Sequence, residues 1–68
     1  MPAEAGMSDA DRRQIQEALR RLDYYRGPVD GILGPQTRVA IRRFQHAIGA
    51  EATGSLTADQ ANRLVTTR

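Results

Sequence analysis

Apolar residues recur at helical spacing in three segments of the chain. The three apolar faces consist of Ile15, Ala18, Leu19 and Leu22, then Thr37, Ala40, Ile41, Phe44 and Ile48, and finally Ala61, Leu64 and Val65. Spacing of i, i+3, i+4 and i+7 is typical of amphipathic helices that bury one face. The pattern therefore predicts an all-α protein with three helices.

Capping residues mark where the predicted helices begin and end. The expected starts are Ser8 and Thr57 as N-caps and Pro35 as a first helical residue, and the expected ends are Leu22 and Gly49. Serine and threonine hydroxyls accept backbone N–H groups that have no partner in the first turn. Proline fits that turn because its missing N–H would have been unpaired there anyway. The first helix is expected over residues 9–22.

The connection between the first two helices, residues 23–34, is expected to be an ordered loop. It contains the turn dipeptides Gly27-Pro28 and Asp30-Gly31. Gly31 is expected to adopt a positive φ, and Asp30 to form an Asx turn with its own backbone. The loop also carries apolar residues that should pack on the helices. The expected core comprises Ile15, Leu19, Leu22, Val29, Ile32, Leu33, Ile41, Phe44, Ile48, Leu56, Leu64 and Val65. The prediction is a compact three-helix bundle with a long ordered loop between helices 1 and 2.

Composition favours a small binding domain over an enzyme. The chain has 68 residues, a formal net charge of +2 and no cysteine, and its length fits one domain with little room for a deep catalytic cavity. Without cysteine, and with His46 as the one histidine, no zinc site is expected. The scattered carboxylates do not suggest the acid pair of a glycosidase. We therefore expect no catalytic residue, no metal and no cofactor.

The first seven residues differ in character from the rest. Residues 1–7 are mostly small or polar and lack the apolar run of a signal peptide. We interpret them as a linker or the edge of an excised segment, and we expect the domain to cover residues 8–68. No stretch reaches the roughly 18 apolar residues that a membrane span needs.

The stretch "IQEALRRLDYYRGPVDGILGPQTRVAIRRFQ" resembles the peptidoglycan-binding domain that is appended to bacterial cell-wall hydrolases. That family's usual pattern is Leu/Ile-Gln-x-x-Leu-x-x-Leu-Gly-Tyr, then Val/Ile-Asp-Gly-x-Phe-Gly-Pro-x-Thr, then x-x-Ala-Val/Ile-x-x-Phe-Gln. The matching residues are Ile15, Gln16, Leu19, Leu22, Tyr24, Val29, Asp30, Gly31, Gly34, Pro35, Thr37, Ala40, Ile41, Phe44, Gln45, Gly49, Gly54, Leu56 and Leu64. The resemblance spans residues 8–65.

The resemblance implies a three-helix, non-catalytic module that anchors or targets a larger protein to the bacterial cell wall. It implies peptidoglycan glycan or stem peptide as the partner, a catalytic domain in the same full-length chain, and a periplasmic or extracellular location. We expect the module to be a monomer. Three positions depart from the family pattern, with Asp23 where glycine is usual, Leu33 in place of an aromatic residue and Ala50 in place of a larger apolar one.

Candidate ligand-binding residues lie in the loop and along the second helix, where we expect a shallow groove. The expected site residues are Tyr25, Arg26, Asp30, Gly31, Arg38, Arg42 and Gln45. The arginines would pair with stem-peptide carboxylates, and Asp30 and Gln45 would address hydroxyls and amides. Tyr25 would offer an apolar ring face with a polar tip. The alternative is that Asp30 and Gln45 serve only the loop's own backbone and that Tyr25 is half-buried against the first helix.

Two other functions fit the same pattern. The module could be a protein-interaction or propeptide-like regulatory unit that docks on its parent enzyme. It could also bind nucleic acid, with Arg38 and Arg42 on a recognition helix. Nucleic-acid binding ranks below the others, because the net charge is only +2 and the twelve residues between the helices far exceed the turn of about 3 to 4 residues in a helix-turn-helix.

Overall fold

Three α-helices and the loops between them make up the part of the chain that the structure describes, residues 1–67 of a computed structural model. The helices are α1 (Asp9–Arg21), α2 (Pro35–Ala47) and α3 (Ala58–Thr66), and a single 3-10 turn (Glu4–Gly6) precedes them. No strand occurs within residues 1–67. The predicted all-α, three-helix fold is confirmed, with overall dimensions of 27 × 24 × 23 Å.

The helix starts follow the predicted capping chemistry. Ser8 Oγ accepts a hydrogen bond from the Asp11 N–H, and the Asp11 carboxylate accepts one from the Ser8 N–H, both at 3.1 Å. Thr57 and Gln60 form the same reciprocal pair at the start of α3. Each pair satisfies two backbone donors that the helix itself cannot. The first helix ends at Arg21, one residue before the predicted Leu22.

The core lies where the three helices meet, because α1 packs against both α2 and α3. Its buried apolar residues are Met7, Ile15, Ala18, Leu19, Tyr25, Ala40, Ile41, Phe44, Leu56, Ala61 and Leu64. Leu22, Ile48 and Val65 are half-buried and pack against this cluster, and Val29 and Leu33 are also only half-buried. The prediction for Ile32 was wrong, since its side chain is 67% exposed.

The residues before α1 contact the helices. Met7 is buried in the core, and its carbonyl accepts a hydrogen bond from Arg12 Nη1 at 2.8 Å. Glu4 forms an ion pair with Arg38 of α2. The domain boundary at residue 8 stays a prediction, but residues 4 to 7 add both an apolar side chain and a charged contact to the bundle.

Candidate functional site

The loop between α1 and α2 is held by the side-chain amide of Gln16, which is fully buried. Gln16 Oε1 accepts hydrogen bonds from the backbone N–H groups of Asp30, at 3.0 Å, and Gly31, at 2.8 Å. Its Nε2 donates to Asp30 Oδ1, to the Ile32 carbonyl and to Thr37 Oγ1, at 2.9 to 3.2 Å. A buried amide must find partners to offset its lost hydration, and here those partners fix the loop on α1.

Two arginines of α1 fasten the outer side of the same loop. Arg12 Nε donates to the Gly31 carbonyl at 2.7 Å, and Arg13 Nη1 donates to the Val29 carbonyl at 3.1 Å. Arg13 also pairs with Asp9, four residues earlier on the same helix, at 2.7 Å. Gly31 adopts a φ of +77°, which glycine reaches without a Cβ clash. The predicted positive φ is therefore confirmed.

Asp30 forms the predicted Asx turn. Its Oδ1 accepts a hydrogen bond from the Ile32 N–H at 2.9 Å as well as the bond from Gln16. The Ile32 N–H and then the Gln16 amide lower the pKa of the Asp30 carboxyl below its ordinary value, and Arg13 adds a smaller effect in the same direction. Asp30 is exposed, but one of its two oxygens already serves the loop.

Tyr25 does not present its ring to solvent as expected. It is only 5% exposed, and its hydroxyl donates to the Pro28 carbonyl at 2.7 Å. Gly27 fits tightly beside it, because a Cβ at this position would lie 2.6 Å from the Tyr25 hydroxyl oxygen and 2.8 Å from Gln36 Oε1. The alternative, a Tyr25 half-buried against the first helix, comes nearer to the structure, but the ring is buried more fully and belongs to the core.

A surface groove of about 330 Å³ lies between the loop and α2. Asp23, Tyr24, Tyr25 and Arg26 line it from the loop, and Gln36, Val39 and Arg43 line it from the helix. We call it the loop–helix groove. A second depression of about 200 Å³ shares Tyr25 and Gln36 with it and extends to Asp30 and Ile32. A groove therefore lies between the loop and α2, but on the helix flank that carries Gln36, Val39 and Arg43, not on the flank with the predicted residues Arg38, Arg42 and Gln45.

The predicted site residues fall into two groups. Tyr25 and Arg26 line the loop–helix groove, and Asp30 lines the smaller depression. Gly31 is a buried residue of the loop itself. The second group consists of Arg38, Arg42 and Gln45, which line neither depression. At about 100° of rotation per residue, these three point toward the opposite edge of the buried stripe of α2 from Gln36, Val39 and Arg43.

This second group serves the loop between α2 and α3. Arg38 Nη1 pairs with Glu4 and donates to the Gly54 carbonyl, and the Arg42 guanidinium lies close beside Gly54. Gln45 is fully buried. Its Oε1 accepts from the Gly54 N–H, and its Nε2 donates to Thr53 Oγ1, the Ser55 carbonyl and Gln60 Oε1. For Gln45 the structure supports the alternative that its amide serves the backbone.

Three residues on the helix side of the groove, Gln36, Val39 and Arg43, were not among the predicted site residues. A signal for them was present, because the spacing i, i+3, i+7 places them on one helical face. Val39 is also an apolar residue outside the core stripe, and its side chain is 44% exposed. An exposed apolar residue flanked by a polar amide and a guanidinium indicates a surface suited to a ligand with mixed chemistry.

The groove presents charged and polar groups that can recognise a ligand. Its charged groups are one carboxylate, Asp23, and two guanidiniums, Arg26 and Arg43. Across residues 1–67, no three His, Asp or Glu side chains come together as a metal site. None of the helices in that range is both long and apolar enough to cross a membrane.

The fold is that of a small all-α module with a surface groove. The family model described as "Putative peptidoglycan binding domain" matches residues 8–64. The chain therefore belongs to the peptidoglycan-binding domain family, and the resemblance noted in the sequence is confirmed.

Individual relatives come from different kinds of bacterial protein. The chain is 40% identical over 57 residues, 84% of its length, to the localization factor PodJL of Caulobacter vibrioides. It is 40% identical over 60 residues, covering 79% of the chain, to the N-acetylmuramoyl-L-alanine amidase CwlL of Bacillus licheniformis. The crystal structure of SltB3 from Pseudomonas aeruginosa in complex with NAG-anhNAM-pentapeptide matches 88% of the chain with a TM-score of 0.82 and 38% identity. The chain corresponds to only 6% of PodJL, 17% of CwlL and 16% of the SltB3 chain.

Proposed function

We propose that this chain is a non-catalytic module that attaches a larger protein to peptidoglycan, and that the loop–helix groove holds the ligand. Family membership supports the ligand class. The composition of the groove supports it as the binding site, because two guanidiniums, a carboxylate, an amide and an apolar wall meet in one depression of about 330 Å³. This volume lies at the lower end of the range typical of small-ligand sites.

Within peptidoglycan, the stem peptide fits this groove better than the glycan does. Sugar rings are commonly held by an exposed aromatic face, but Tyr25 is buried and Tyr24 is half-buried with its ring edge-on to Phe44, 6.3 Å between centroids. Arg26 and Arg43, in contrast, can pair with peptide carboxylates, and the Gln36 amide can donate to and accept from peptide groups. The pair of guanidiniums in one groove is the observation that carries the proposal.

The chemistry of the groove supports a module without catalysis. Guanidinium groups stay protonated in proteins and do not exchange protons with a substrate. A single carboxylate lacks the second acid that glycoside hydrolysis by two carboxylates needs. In this proposal, the chemistry on the wall belongs to another domain of the full-length protein.

The place of action follows from the ligand. Peptidoglycan lies outside the cytoplasmic membrane, so we place the module in the periplasm or at the extracellular wall, as a monomer beside a catalytic or scaffolding partner domain. An amidase and a protein solved with a muropeptide among the relatives support this setting. PodJL, a localization factor, supports a targeting role for the module.

Sedimentation with purified wall sacculi tests the proposal. The wild-type domain is expected to pellet with sacculi at both low and physiological salt, and Arg43→Gln to pellet substantially less. Arg20→Gln is the matched control, since Arg20 is an exposed arginine of α1 outside the groove. A wild-type domain that stays in the supernatant at low salt contradicts the proposal. Pelleting that disappears at moderate salt and responds equally to both substitutions indicates non-specific attraction by arginine.

A second function, docking on a parent enzyme, is favoured by Ile32. Its side chain is 67% exposed at the rim of the smaller depression, and exposed apolar groups are common at protein contacts. Ile32→Ser should leave sedimentation with sacculi unchanged if the wall is the ligand. If the domain instead docks on a neighbouring catalytic domain, Ile32→Ser should weaken that association. In the full-length protein, limited proteolysis should then cut the linker between the two domains faster.

A further inference from the structure

Asp23 is the one carboxylate of the loop–helix groove, and it stands in an unusual backbone conformation. Its φ is +66°, and it is the one non-glycine residue with positive φ within residues 1–67. Aspartate tolerates this region better than most residues, but glycine adopts it more readily. The backbone alone would therefore favour glycine, and the aspartate places a negative charge in a groove that otherwise carries two positive ones.

The charges of the groove are free to meet a ligand. Asp23 Oδ1 and Arg26 Nη2 are 3.8 Å apart, and their side chains are 80% and 84% exposed. An exposed pair at this distance contributes little and is readily rearranged. Arg43 forms no ion pair or side-chain hydrogen bond within the part of the chain that the structure describes. All three charged groups can thus turn toward a ligand at small cost.

The remaining lining of the groove suits an aliphatic stem. Val39 is 44% exposed on the helix side, and the half-buried ring of Tyr24 lines the loop side. Gln36 and Arg43 are seven residues apart on α2, roughly 10 Å along the helix axis at 1.5 Å per residue. This length accommodates a short methylene chain with a charged end group and a peptide group at its other end.

We infer that the loop–helix groove binds an amino-acid head group, in which an ammonium and a carboxylate are attached to the same carbon. The ammonium lies against Asp23, the carboxylate lies against Arg26 and Arg43, and the methylene stem runs along Val39. This inference rests on the proposed function and narrows it. The ligand is a stem peptide whose diamino acid ends in both groups, as meso-diaminopimelate does, rather than one that ends in an ammonium alone, as lysine does.

Opposite charges in one groove discriminate by repulsion as well as by attraction. Two guanidiniums alone would accept any carboxylate, and Asp23 penalises a carboxylate that brings no ammonium. An ammonium without a carboxylate meets Arg26 and Arg43, which repel it. Specificity that depends on unfavourable pairings with the wrong ligand is a common way to separate close analogues.

Three soluble peptides separate the contribution of the ligand's ammonium from that of its carboxylate. Their binding is followed by NMR chemical shifts in titrations at low ionic strength. They are L-Ala-γ-D-Glu-meso-diaminopimelate, the same peptide with its free side-chain amino group acetylated, and L-Ala-γ-D-Glu-L-Lys. The wild-type domain should bind the first peptide about fivefold more tightly than either of the others, the size expected for a solvent-exposed charge pair. The shifts should appear at Asp23, Val39 and Arg43.

Two substitutions assign the preference to its residues. Asp23→Asn, which keeps a residue that tolerates positive φ, should bind the first peptide no better than its acetylated form. Arg43→Gln should bind the first peptide no better than the lysine peptide. Equal binding of all three peptides by the wild-type domain, with sacculi still pelleting it, overturns this inference and leaves the proposed function standing. Failure of the domain to pellet with any sacculi overturns the proposed function itself.

Discussion

The side-chain oxygen of Gln16 accepts a hydrogen bond from the backbone N–H of Gly31 at 2.8 Å, fifteen residues further along the chain. Gln45 repeats the arrangement in the next loop, where its oxygen accepts from the Gly54 N–H at 2.9 Å. Both amides are fully buried, and both glycines have positive φ. Each inter-helix loop is thus bonded to a buried glutamine of the helix before it, and the first of these loops forms one side of the loop–helix groove.

Replacing Gln16 with alanine should strongly destabilise the domain. The substitution leaves the N–H groups of Asp30 and Gly31 without their partner, and unpaired buried donors cost about 1–3 kcal/mol each. We expect the free energy of unfolding to fall by at least about 2 kcal/mol, measured by urea denaturation. Gln14→Ala is the control, since Gln14 is an exposed residue of the same helix. Equal effects of the two substitutions would show that the amide does not fix the loop.

Gly31 and Gly49 allow the effect of backbone strain to be separated from the effect of crowding. Both have positive φ, +77° and +74°, but a Cβ on Gly31 would collide with the Asp9 carboxylate, whereas one on Gly49 would meet nothing within 4 Å. Gly49→Ala should cost about 1–2 kcal/mol from strain alone. Gly31→Ala should cost up to about 1 kcal/mol more, because the exposed Asp9 carboxylate has to turn away and give up its ion pair with Arg13.

Removing the Asp9 side chain tests whether its collision with a Cβ on Gly31 causes the larger loss. In the background of Asp9→Ala, the colliding carboxylate is gone, so Gly31→Ala should become nearly as mild as Gly49→Ala. Residues in direct contact are expected to show such non-additivity, and residues far apart are not. Thermal unfolding of the two single variants and the double variant measures it, and strictly additive losses would exclude the collision as the cause.

Local features of the chain were readable from the sequence, and features that depend on distant partners were not. The helix starts at Ser8 and Thr57 depend on groups three residues apart, so the short-range sequence pattern was enough to predict them. The role of Gln45 depends on a loop nine residues away, and a polar residue beside an apolar stripe looks the same whether it faces a ligand or a backbone. The burial of Gln45 depends on the packing of the three helices, which the local sequence does not specify.

Two of the errors in the predicted core, Ile32 and Met7, have a common physical origin. Ile32 lies in a loop whose direction is set by the Asx turn of Asp30 and the positive φ of Gly31, and this direction turns Ile32 outward. Met7 was excluded because its neighbours are small and polar, yet it lies buried in the core. In irregular segments, composition does not tell which side chain points inward, because no helical or strand periodicity applies.

Met7 should therefore matter more for stability than Ile32. Truncation of a buried methionine to alanine typically costs about 2–5 kcal/mol, and we expect Met7→Ala to lie at the lower end because the cavity would open near the surface. Ile32→Ala should change the free energy of unfolding by no more than about 0.5 kcal/mol. Chemical denaturation of both variants measures the two free energies of unfolding. A larger loss of stability for Ile32→Ala than for Met7→Ala would contradict the described packing.

Asp23 should lower the stability of the domain, although its carboxylate is proposed to provide ligand selectivity. Asp23→Gly removes the strain of a positive φ and should raise the stability by about 0.5–1 kcal/mol, whereas Asp23→Ala should lower it by a similar amount, because alanine tolerates this region less well. The thermal midpoints of the two variants should therefore move in opposite directions. If both midpoints fall, the aspartate side chain contributes more to folding than its exposed position and long contact with Arg26 suggest.

Asp30 should make the stability of the domain fall in acid. Its folded pKa is lowered, first by the Ile32 N–H and then by Gln16, so its carboxylate stabilises the fold fully above the unfolded pKa of about 3.9. This contribution is lost as the pH falls through the lower folded pKa, because protonation weakens both hydrogen bonds. The free energy of unfolding of Asp30→Asn should lie below that of the wild type at pH 7, and the gap should close toward pH 2. A gap of the same size at both pH values would mean that the charge of Asp30 does not stabilise the turn.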